Sequence, residues 1–273
     1  MTAKAPSRVF IGLPVYNGAR FLPSAMDSLL RQTYTDFTLL ISDNASTDNT
    51  RAIGERYAAQ DARVRYVRQP QNIGAPRNWN YVVEHAHGDY FKWATANDEC
   101  APEMLALCVA ALDADPGAAL AQGRTCLVDE DSGARENYVN DLALLEDSPS
   151  ARLRHLSLEL GLNNGQSGLI RLDMLRRTRL DRLYPGGDFA LMAELALQGR
   201  FLVLPQILLD RRMGRTTFSR LLLKEQISIF YGKQAPRSRL GERLQLHFDV
   251  LRCALTARLS LRERTGAVMV ALR

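Results

Sequence analysis

The 273-residue sequence lacks the features that mark secreted, membrane-spanning or metal-thiolate proteins. Its four cysteines, Cys100, Cys108, Cys126 and Cys253, show no C-x-x-C spacing, so neither a disulfide framework nor a thiolate metal site is indicated. The N-terminus has no long apolar segment, so no signal peptide is expected. The sequence has no run of about 18 apolar residues, so no transmembrane helix is predicted. These absences favour a reduced, cytoplasmic protein.

Acidic residues are scarce in the last part of the chain. Residues 211–273 hold 14 Lys and Arg against 4 Asp and Glu, whereas residues 1–210 hold 21 against 26. The body therefore carries a charge of −5 and the tail a charge of +10. Such asymmetry suggests an anionic partner, and a solvated helical face is the alternative explanation. We expect a membrane surface rather than a nucleic acid as that partner.

Strand-like and helical segments alternate through the first half of the chain. Predicted strands cover residues 8–13, 37–41, 64–68, 89–94 and 118–128, and predicted helices cover 19–32, 49–59, 76–85 and 102–112. This alternation predicts an α/β fold with a mostly parallel central sheet flanked by helices.

Beyond residue 128 the pattern loosens. Residues 129–150 are predicted as a loop with a short helix, and strands at 168–172 and 201–204 flank a helix at 188–197. From about Thr217 the chain is predicted as helices. One of them has an apolar row interleaved with arginines: Leu244, Phe248, Leu251, Leu255 and Leu259. A basic amphipathic helix of this kind lies on an anionic bilayer, docks on its own protein, or pairs with a second subunit.

A polar loop with two carboxylates, Asp43 and Asp48, follows the second predicted strand. In open α/β sheets, ligands bind beyond the carboxyl ends of the strands, so Asp43 lies where a ligand is expected. Ser46, Thr47 or Asp48 is predicted to cap the next helix, and capping alone is the alternative explanation for this composition.

Three further loops are predicted at the same edge of the sheet, at residues 14–18, 72–77 and 95–99. Together the four loops offer carboxylates, amides and an arginine. Carboxylates accept hydrogen bonds from a base or ribose, arginine binds phosphate, and a carboxylate pair holds a divalent cation. The combination predicts a nucleotide site.

Five short motifs occur in order between residues 14 and 90. They are Pro14-Val15-Tyr16-Asn17, Ser28-x-x-x-Gln32-x-Tyr34, Asp43-Asn44-Ala45-Ser46-Thr47-Asp48, Asn72-x-Gly74 with Asn80, and Gly88-Asp89-Tyr90. The set resembles the family 2 glycosyltransferases of the GT-A fold. The resemblance covers residues 8–115 well and extends loosely to about residue 220.

This resemblance implies an inverting enzyme that moves a sugar from a nucleotide-diphosphate sugar of the UDP, dTDP or GDP type to a glycan or lipid-linked acceptor. Bacterial surface polysaccharide synthesis is the implied process. The implied division is a GT-A domain over 1–215, with a nucleotide-sugar half (1–128) and an acceptor half (129–215), and a helical basic extension over 216–273. A cytoplasmic protein, peripheral at the inner membrane face, fits this organisation, as does a homodimer formed through the C-terminal helices.

The resemblance also implies roles for individual residues. Asp43 would contact the base, and the other donor-site residues would be Pro14, Tyr16, Asn17, Asn72, Arg77 and Asn97. Asp188 would be the catalytic base, although Gly187 stands where the family has Glu. Arg211 and Arg212 fall near a late arginine of the family.

The metal motif departs from the family pattern. In Thr95-Ala96-Asn97-Asp98-Glu99 the first Asp of D-x-D is missing and Asn97 replaces the second, which leaves Asp98 as the metal residue. Asn is a neutral ligand for Mn²⁺ or Mg²⁺, so the sequence leaves the need for a divalent cation open.

Other functions remain open from the sequence. A degenerate GT-A domain that binds nucleotide or glycan without turnover would explain the altered metal motif. A nucleotidyltransferase is less consistent, because no Gly-rich, Lys-bearing phosphate loop occurs near residue 12. For Asp188, capping of its own helix is the alternative role.

Overall fold

The computed structural model describes residues 7–214 and 239–272, so the helix predicted around residues 221–230 lies outside the described residues. The described strands are β1 Val9–Val15, β2 Phe37–Asp43, β3 Val64–Arg68, β4 Tyr90–Trp93, β5 Glu99–Cys100, β6 Ala118–Asp129, β7 Arg135–Asn137, β8 Leu169–Arg171 and β9 Arg200–Met213. The described helices are α1 Leu22–Leu30, α2 Thr50–Gln60, α3 Ala75–Glu84, α4 Met104–Ala114, α5 Pro149–Glu159, α6 Leu172–Arg176, α7 Gly187–Gln198, α8 Arg239–Thr256 and α9 Leu261–Ala271.

The strands form one sheet in the order β3-β2-β1-β4-β8-β6-β9-β5, with β7 paired to β6. Strands β1 to β4 are parallel, β6 and β9 are parallel, and β8 runs antiparallel to both of its neighbours. The predicted α/β fold with a mostly parallel sheet is therefore confirmed. Because β1, β2 and β4 are parallel, the loops that follow them meet at one edge of the sheet.

Strand β1 shows why the sheet is covered on both faces. All seven of its residues are buried, which is typical of a parallel strand with helices on both sides. Phe10 packs in one core cluster, while Ile11 and Leu13 pack in the other. Gly12 lets α3 approach closely, because a Cβ atom there would lie 2.5 Å from the Cγ2 atom of Val82.

Three local predictions need correction. Helix α5 lies mostly beyond the predicted loop of residues 129–150, and it begins with a Ser148 cap and a proline in its first turn. Strand β9 extends to Met213, well beyond the predicted residue 204, because it pairs along most of β6. The N-cap of α2 is Asn49 rather than an earlier residue of the polar loop, whose side chains fasten neighbouring loops instead.

The C-terminal helices share a core cluster with the sheet and with α7. Val250 and Cys253 of α8 and Ala267 of α9 are buried in it. No described helix is long and apolar enough to span a membrane. The division into a GT-A domain and an extension stays a prediction, and the described part of the extension is packed on the domain.

Candidate active site

The loops after β1 and β2 are tied to each other by side chain–backbone hydrogen bonds. Asn17 adopts a left-handed conformation (φ 51°), and its Oδ1 atom accepts from the backbone N of Thr47 at 2.8 Å. The backbone N of Asn17 donates to Ser46 Oγ at 2.9 Å, and that of Ala19 donates to Asp48 Oδ2 at 3.0 Å. These contacts occupy Ser46 Oγ and Asp48 Oδ2, and Asn49 takes the N-cap position of α2.

Asp48 also orders the start of α2 from outside the helix. Its Oδ1 atom accepts from the backbone N of Thr50 at 3.0 Å. Burial opposes ionisation of Asp48, but hydrogen bonds from Thr50 and Ala19 outweigh it and lower the pKa of the carboxyl group below its usual range. A fastening role for Asp48 is therefore visible in the structure.

Asp43 lies at the end of β2 and is completely buried. Its Oδ1 atom accepts from the backbone N of Ser46 at 2.8 Å, and its Oδ2 atom accepts from Tyr66 Oη at 2.6 Å. Arg68 Nε lies 3.7 Å from the same Oδ2 atom. Burial, and then the hydrogen bond to Asp43, raise the pKa of Tyr66, so Tyr66 stays a donor at neutral pH. Each carboxylate oxygen retains capacity for a further donor, such as a base N–H.

The loop before α3 is fastened to the end of β2 by amides. Asn44 Nδ2 donates to Asn72 Oδ1 at 3.0 Å, and Asn44 Oδ1 accepts from the backbone N of Ile73 at 2.8 Å. Asn72 Oδ1 also accepts from the backbone N of Gly74, whose φ of 86° suits glycine. Helix α3 begins immediately afterwards, so the exposed Arg77 lies in its first turn, where the free N–H groups favour an anion.

The aromatic residues near this edge fall into two groups. Tyr16 follows β1 and is 47% exposed, so its ring is available for stacking. Trp93 is fully buried in the core, and Trp79 packs against it at a ring-centroid distance of 6.0 Å. Pro14 lies buried in β1, opposite Ser42 of β2.

Asp98 of the predicted metal loop faces the end of β9. Its Oδ1 atom accepts from the backbone N of Arg212 at 3.0 Å, while Glu99 forms an ion pair with the Arg212 side chain. Burial raises the pKa of Asp98, and the positive charges of Arg211 and Lys92 act in the opposite direction. The cationic side chains therefore offset the cost of burying the Asp98 carboxylate only in part, and its pKa stays raised.

Lys92 is a buried charge that the sequence does not reveal as part of the site. Its ammonium group donates to the carbonyl oxygen of Ser167. A small cavity lies between Lys92, Asp98, Cys100 and Ser167. The sequence does not indicate that Lys92 lies beside Asp98, because Lys92 occurs in an otherwise apolar strand.

The described residues contain no group of three His, Cys, Asp or Glu side chains that would hold a metal ion. Asn97 and Asp98 are the protein ligands available in this loop. A hard cation needs about six oxygen ligands, so these two fit it only if diphosphate oxygens and water supply the others.

Asp188 lies in the first turn of α7, where its Oδ2 atom accepts from Asn163 Nδ2 at 3.1 Å. The preceding Gly187 has no room for a side chain. A Cβ atom there would lie 2.7 Å from the Cβ atom and 2.8 Å from the backbone N of Arg182. The Glu that the resemblance leads us to expect at this position would therefore clash with Arg182.

Asp181 is a second carboxylate beside Asp188, and no sequence motif indicates it. Its Oδ1 atom is buried without a hydrogen-bond partner. Burial, and then the charge of Asp188, raise the pKa of Asp181 to about 8. Its backbone is clamped by Asn80, which accepts from the Asp181 N–H and donates to the Asp181 carbonyl oxygen, both at 3.0 Å. Asp181 lies in a charged loop that has no recognisable motif, so the sequence does not indicate its place beside Asp188.

One chain of contacts joins the metal loop to the predicted base. Arg211, next to Arg212, donates through Nη1 to Asn164 Oδ1 at 2.5 Å. The neighbouring Asn163 holds Asp188. The structure thus connects Asp98 and Asp188, which are distant in sequence, and Arg211 lies between them.

A sequence model described as Glycosyl transferase family 2 matches residues 10–177. A putative glycosyltransferase, EpsE of Bacillus subtilis (strain 168), is 32% identical over 107 residues, which is 39% of this chain and 38% of that protein. Chondroitin synthase of Escherichia coli is 32% identical over 108 residues, which is 40% of this chain and 16% of that protein. The matches therefore span well under half of these relatives.

Solved structures resemble the whole fold. S. aureus TarS 1–349 in complex with UDP has a TM-score of 0.68 at 15% identity, over 97% of this chain and 70% of that chain. The mannosyltransferase PcManGT from Pyrobaculum calidifontis, in complex with GDP-Man and Mn²⁺, has a TM-score of 0.60 at 17% identity, over 97% of this chain and 73% of that chain. At these identities the likeness shows the fold, and it agrees with the GT-A expectation.

Proposed function

This chain belongs to glycosyl transferase family 2, and we propose that it is an inverting glycosyltransferase. In this proposal it transfers a sugar from a nucleotide-diphosphate sugar to a glycan or lipid-linked acceptor in bacterial surface polysaccharide synthesis. The family model, which covers more than half of the chain, supports the enzyme class. Chondroitin synthase among the relatives supports a polysaccharide product.

The observation that carries the proposal is the joined edge of the sheet. The loops after β1 and β2 and the start of α3 are fastened together by Asn17, Asn44 and Asn72. Asn80 of α3 hydrogen-bonds the backbone of Asp181, whose carboxyl group lies near that of Asp188. These contacts support a donor site and a base at one edge of the fold.

A role is proposed for each donor-site residue. The side chain of Asp43 is completely buried and contacts Tyr66 and Arg68, so its contact with a base requires these side chains to move. Tyr16 stacks on the base, the buried Asp43 accepts from a base N–H, and Arg77 binds phosphate at the start of α3. Four further residues shape the proposed donor pocket because they form or order the loops around it: Pro14, Asn17, Asn72 and Asn97.

In the proposed reaction the acceptor hydroxyl oxygen attacks the anomeric carbon in a single displacement. The bond from that carbon to the diphosphate oxygen breaks, and Asp188 takes the hydroxyl proton. Arg77 and Arg211 offset the negative charge that develops on the leaving nucleoside diphosphate. Asp188 is suited to this because Asn163 orients its carboxylate at the start of α7.

We propose that Asn97 and Asp98 hold a divalent cation, Mn²⁺ or Mg²⁺, only together with the bound diphosphate. When bound, such a cation would supply further charge stabilisation to the leaving group. PcManGT, one of the structural neighbours, is in complex with GDP-Man and Mn²⁺. A degenerate domain without turnover is the alternative, and the altered metal motif is its only support.

The nature of the donor and of the acceptor is also proposed. UDP, dTDP or GDP is the nucleotide, since the neighbours bind UDP and GDP-Man. The protein would work in the cytoplasm, peripherally at the inner face of the membrane, where lipid-linked acceptors lie. No nucleic-acid partner is expected. Formation of a homodimer is the alternative role of the C-terminal helices.

Calorimetric titration with UDP, GDP and dTDP, each with and without Mn²⁺, tests the donor site. We expect one nucleotide to bind, and to bind more tightly with Mn²⁺. Equal affinity without the cation would remove Asp98 from the metal role but keep the nucleotide site. An absence of binding by all three would overturn the proposed function and favour the degenerate domain.

A further inference from the structure

Helix α8 presents apolar side chains to solvent on the face turned away from the protein. Phe248 is 66% exposed, and its neighbours along the same face are Leu240, Leu244 and Leu255. Spacings of four, four and seven residues place these side chains in one stripe. The opposite face, with Val250, Cys253 and Ala254, is buried against the body of the protein.

Helix α9 also carries exposed apolar side chains. Leu261 is 81% exposed, and Met269 and Leu272 are more than half exposed. Ser260 caps the helix by accepting from the backbone N of Glu263 at 3.3 Å. We call the exposed apolar residues of α8 and α9, together with the arginines beside them, the outer face.

Charge is segregated across these two helices. The described acidic side chains turn inward: Asp249 accepts from Arg179 at 2.9 Å, and Glu263 accepts from Ser148 at 2.9 Å. Three basic side chains are exposed beside the apolar stripes: Arg252, Arg258 and Arg262. The described part of the outer face is thus apolar and cationic.

We infer that the outer face docks the protein on an anionic lipid bilayer, with the apolar side chains in the headgroup region and the arginines on lipid phosphates. An interfacial helix has this pattern of an apolar stripe flanked by cations. A bilayer containing anionic lipid matches the charge, because each basic residue near such a surface strengthens binding.

Docking in this way would also place the candidate base near the membrane. Asp249, on the inner face of α8, accepts from Tyr184 at 2.6 Å, and Arg179 also contacts Cys253 Sγ at 3.1 Å. The segment held by these contacts leads directly into α7 and Asp188. Helix α8 is therefore anchored to the site, and a lipid-linked acceptor would enter beside it.

This inference deepens the proposed function, and its test needs neither donor nor acceptor. Flotation of the full chain with phosphatidylcholine vesicles, with or without about 30% phosphatidylglycerol, measures the affinity for lipid. We expect binding to the anionic vesicles alone. Arg252→Gln with Arg258→Gln should weaken binding about 25-fold, since each arginine contributes about fivefold. Leu244→Ser with Phe248→Ser should weaken it at least about tenfold.

Ile207→Ser is the matched control, because Ile207 is 42% exposed on β9, outside the outer face. Its vesicle affinity should stay within about twofold of that of the unchanged protein, on the additivity expected for distant sites. Lack of binding to anionic vesicles, or equal loss in the control, would overturn the inference. So would a dimer in light scattering that Phe248→Ser dissociates, since a second copy would then cover the face. Nucleotide binding by calorimetry is independent of all these outcomes.

Discussion

Asp181→Asn replaces the carboxyl group beside Asp188, whose Oδ1 atom is buried without a hydrogen-bond partner, with a neutral side chain of the same shape. The pKa of Asp181 is raised from 3.8 to about 8 in the folded protein, by burial and by the charge of Asp188. The folded chain therefore keeps a proton between about pH 4 and pH 8 that the unfolded chain releases. Stability contributed by this group is full below about pH 4 and is lost as the pH rises to about 8.

The size of the loss follows from the difference in pKa. Each unit corresponds to about 1.4 kcal/mol, so ionisation of Asp181 lowers the free energy of unfolding by about 4 kcal/mol between pH 5 and pH 8. The amide introduced by the substitution does not titrate. At pH 5 the unfolding free energies of the variant and of the unchanged protein should therefore differ by no more than the free-energy cost of burying an amide. It should be more stable than the unchanged protein by several kcal/mol at pH 8.

Urea unfolding followed by tryptophan fluorescence at pH 5, 6, 7 and 8 measures this difference. All other groups titrate in both proteins, so they cancel in the comparison unless they contact Asp181 directly. The charged neighbours that contribute are Asp188 and Arg182. Asp188→Asn is the matched control, since removal of its charge should lower the pKa of Asp181 and flatten the pH dependence. Parallel stability curves for Asp181→Asn and the unchanged protein would refute the reasoning.

Three other substitutions separate catalysis, donor binding and support of the site. Asp188→Asn should reduce transfer by about 10² to 10⁴ while nucleotide affinity measured by calorimetry is unchanged, and persistent transfer would place the base elsewhere. Asp43→Ala should weaken nucleotide-sugar binding and lower the free energy of unfolding by about 2–4 kcal/mol, because the backbone N of Ser46 and the hydroxyl of Tyr66 lose their hydrogen-bond acceptor. Tyr66→Phe, which removes one of these hydrogen bonds, should lower it by about 1 kcal/mol. Unchanged nucleotide-sugar affinity in Asp43→Ala would exclude the base contact. Asp249→Asn should lower the free energy of unfolding in urea by about 2 kcal/mol. Glu55→Gln, in an exposed ion pair, is the control and should change it by less than about 1 kcal/mol. Equal effects of the two substitutions would show that α8 does not support the site.

The first half of the fold was predictable because its signals are local. Strand β3 occurs at the predicted residues 64–68, and α2 begins within one residue of the prediction. Apolar runs ending in polar loops specify both the strands and the edge at which they end. The length of β9 was not predictable, because its second half is stabilised by pairing with β6, more than 80 residues away.

Asp181 shows why part of the site was hidden in the sequence. Its position depends on the clamp by Asn80, which lies 101 residues earlier in the chain. Leu180 precedes it with a left-handed φ of 56°, a conformation that the sequence does not suggest for leucine. Burial and a neighbouring charge are properties of the assembled fold, so no local pattern predicts a raised pKa here.

The polar residues of the motif-bearing loops therefore divide into two kinds. Asn17, Asn44 and Asp48 use their hydrogen-bonding groups on backbone atoms of neighbouring loops, which orders the edge of the sheet. Tyr16 and Asp188 keep their ring or carboxylate nearer to solvent. Because a rigid edge reduces the entropy lost when a donor binds, the first kind contributes to affinity without touching the ligand. Sequence motifs record both kinds alike, and only the hydrogen-bond partners distinguish the residues that build the site from those available for chemistry.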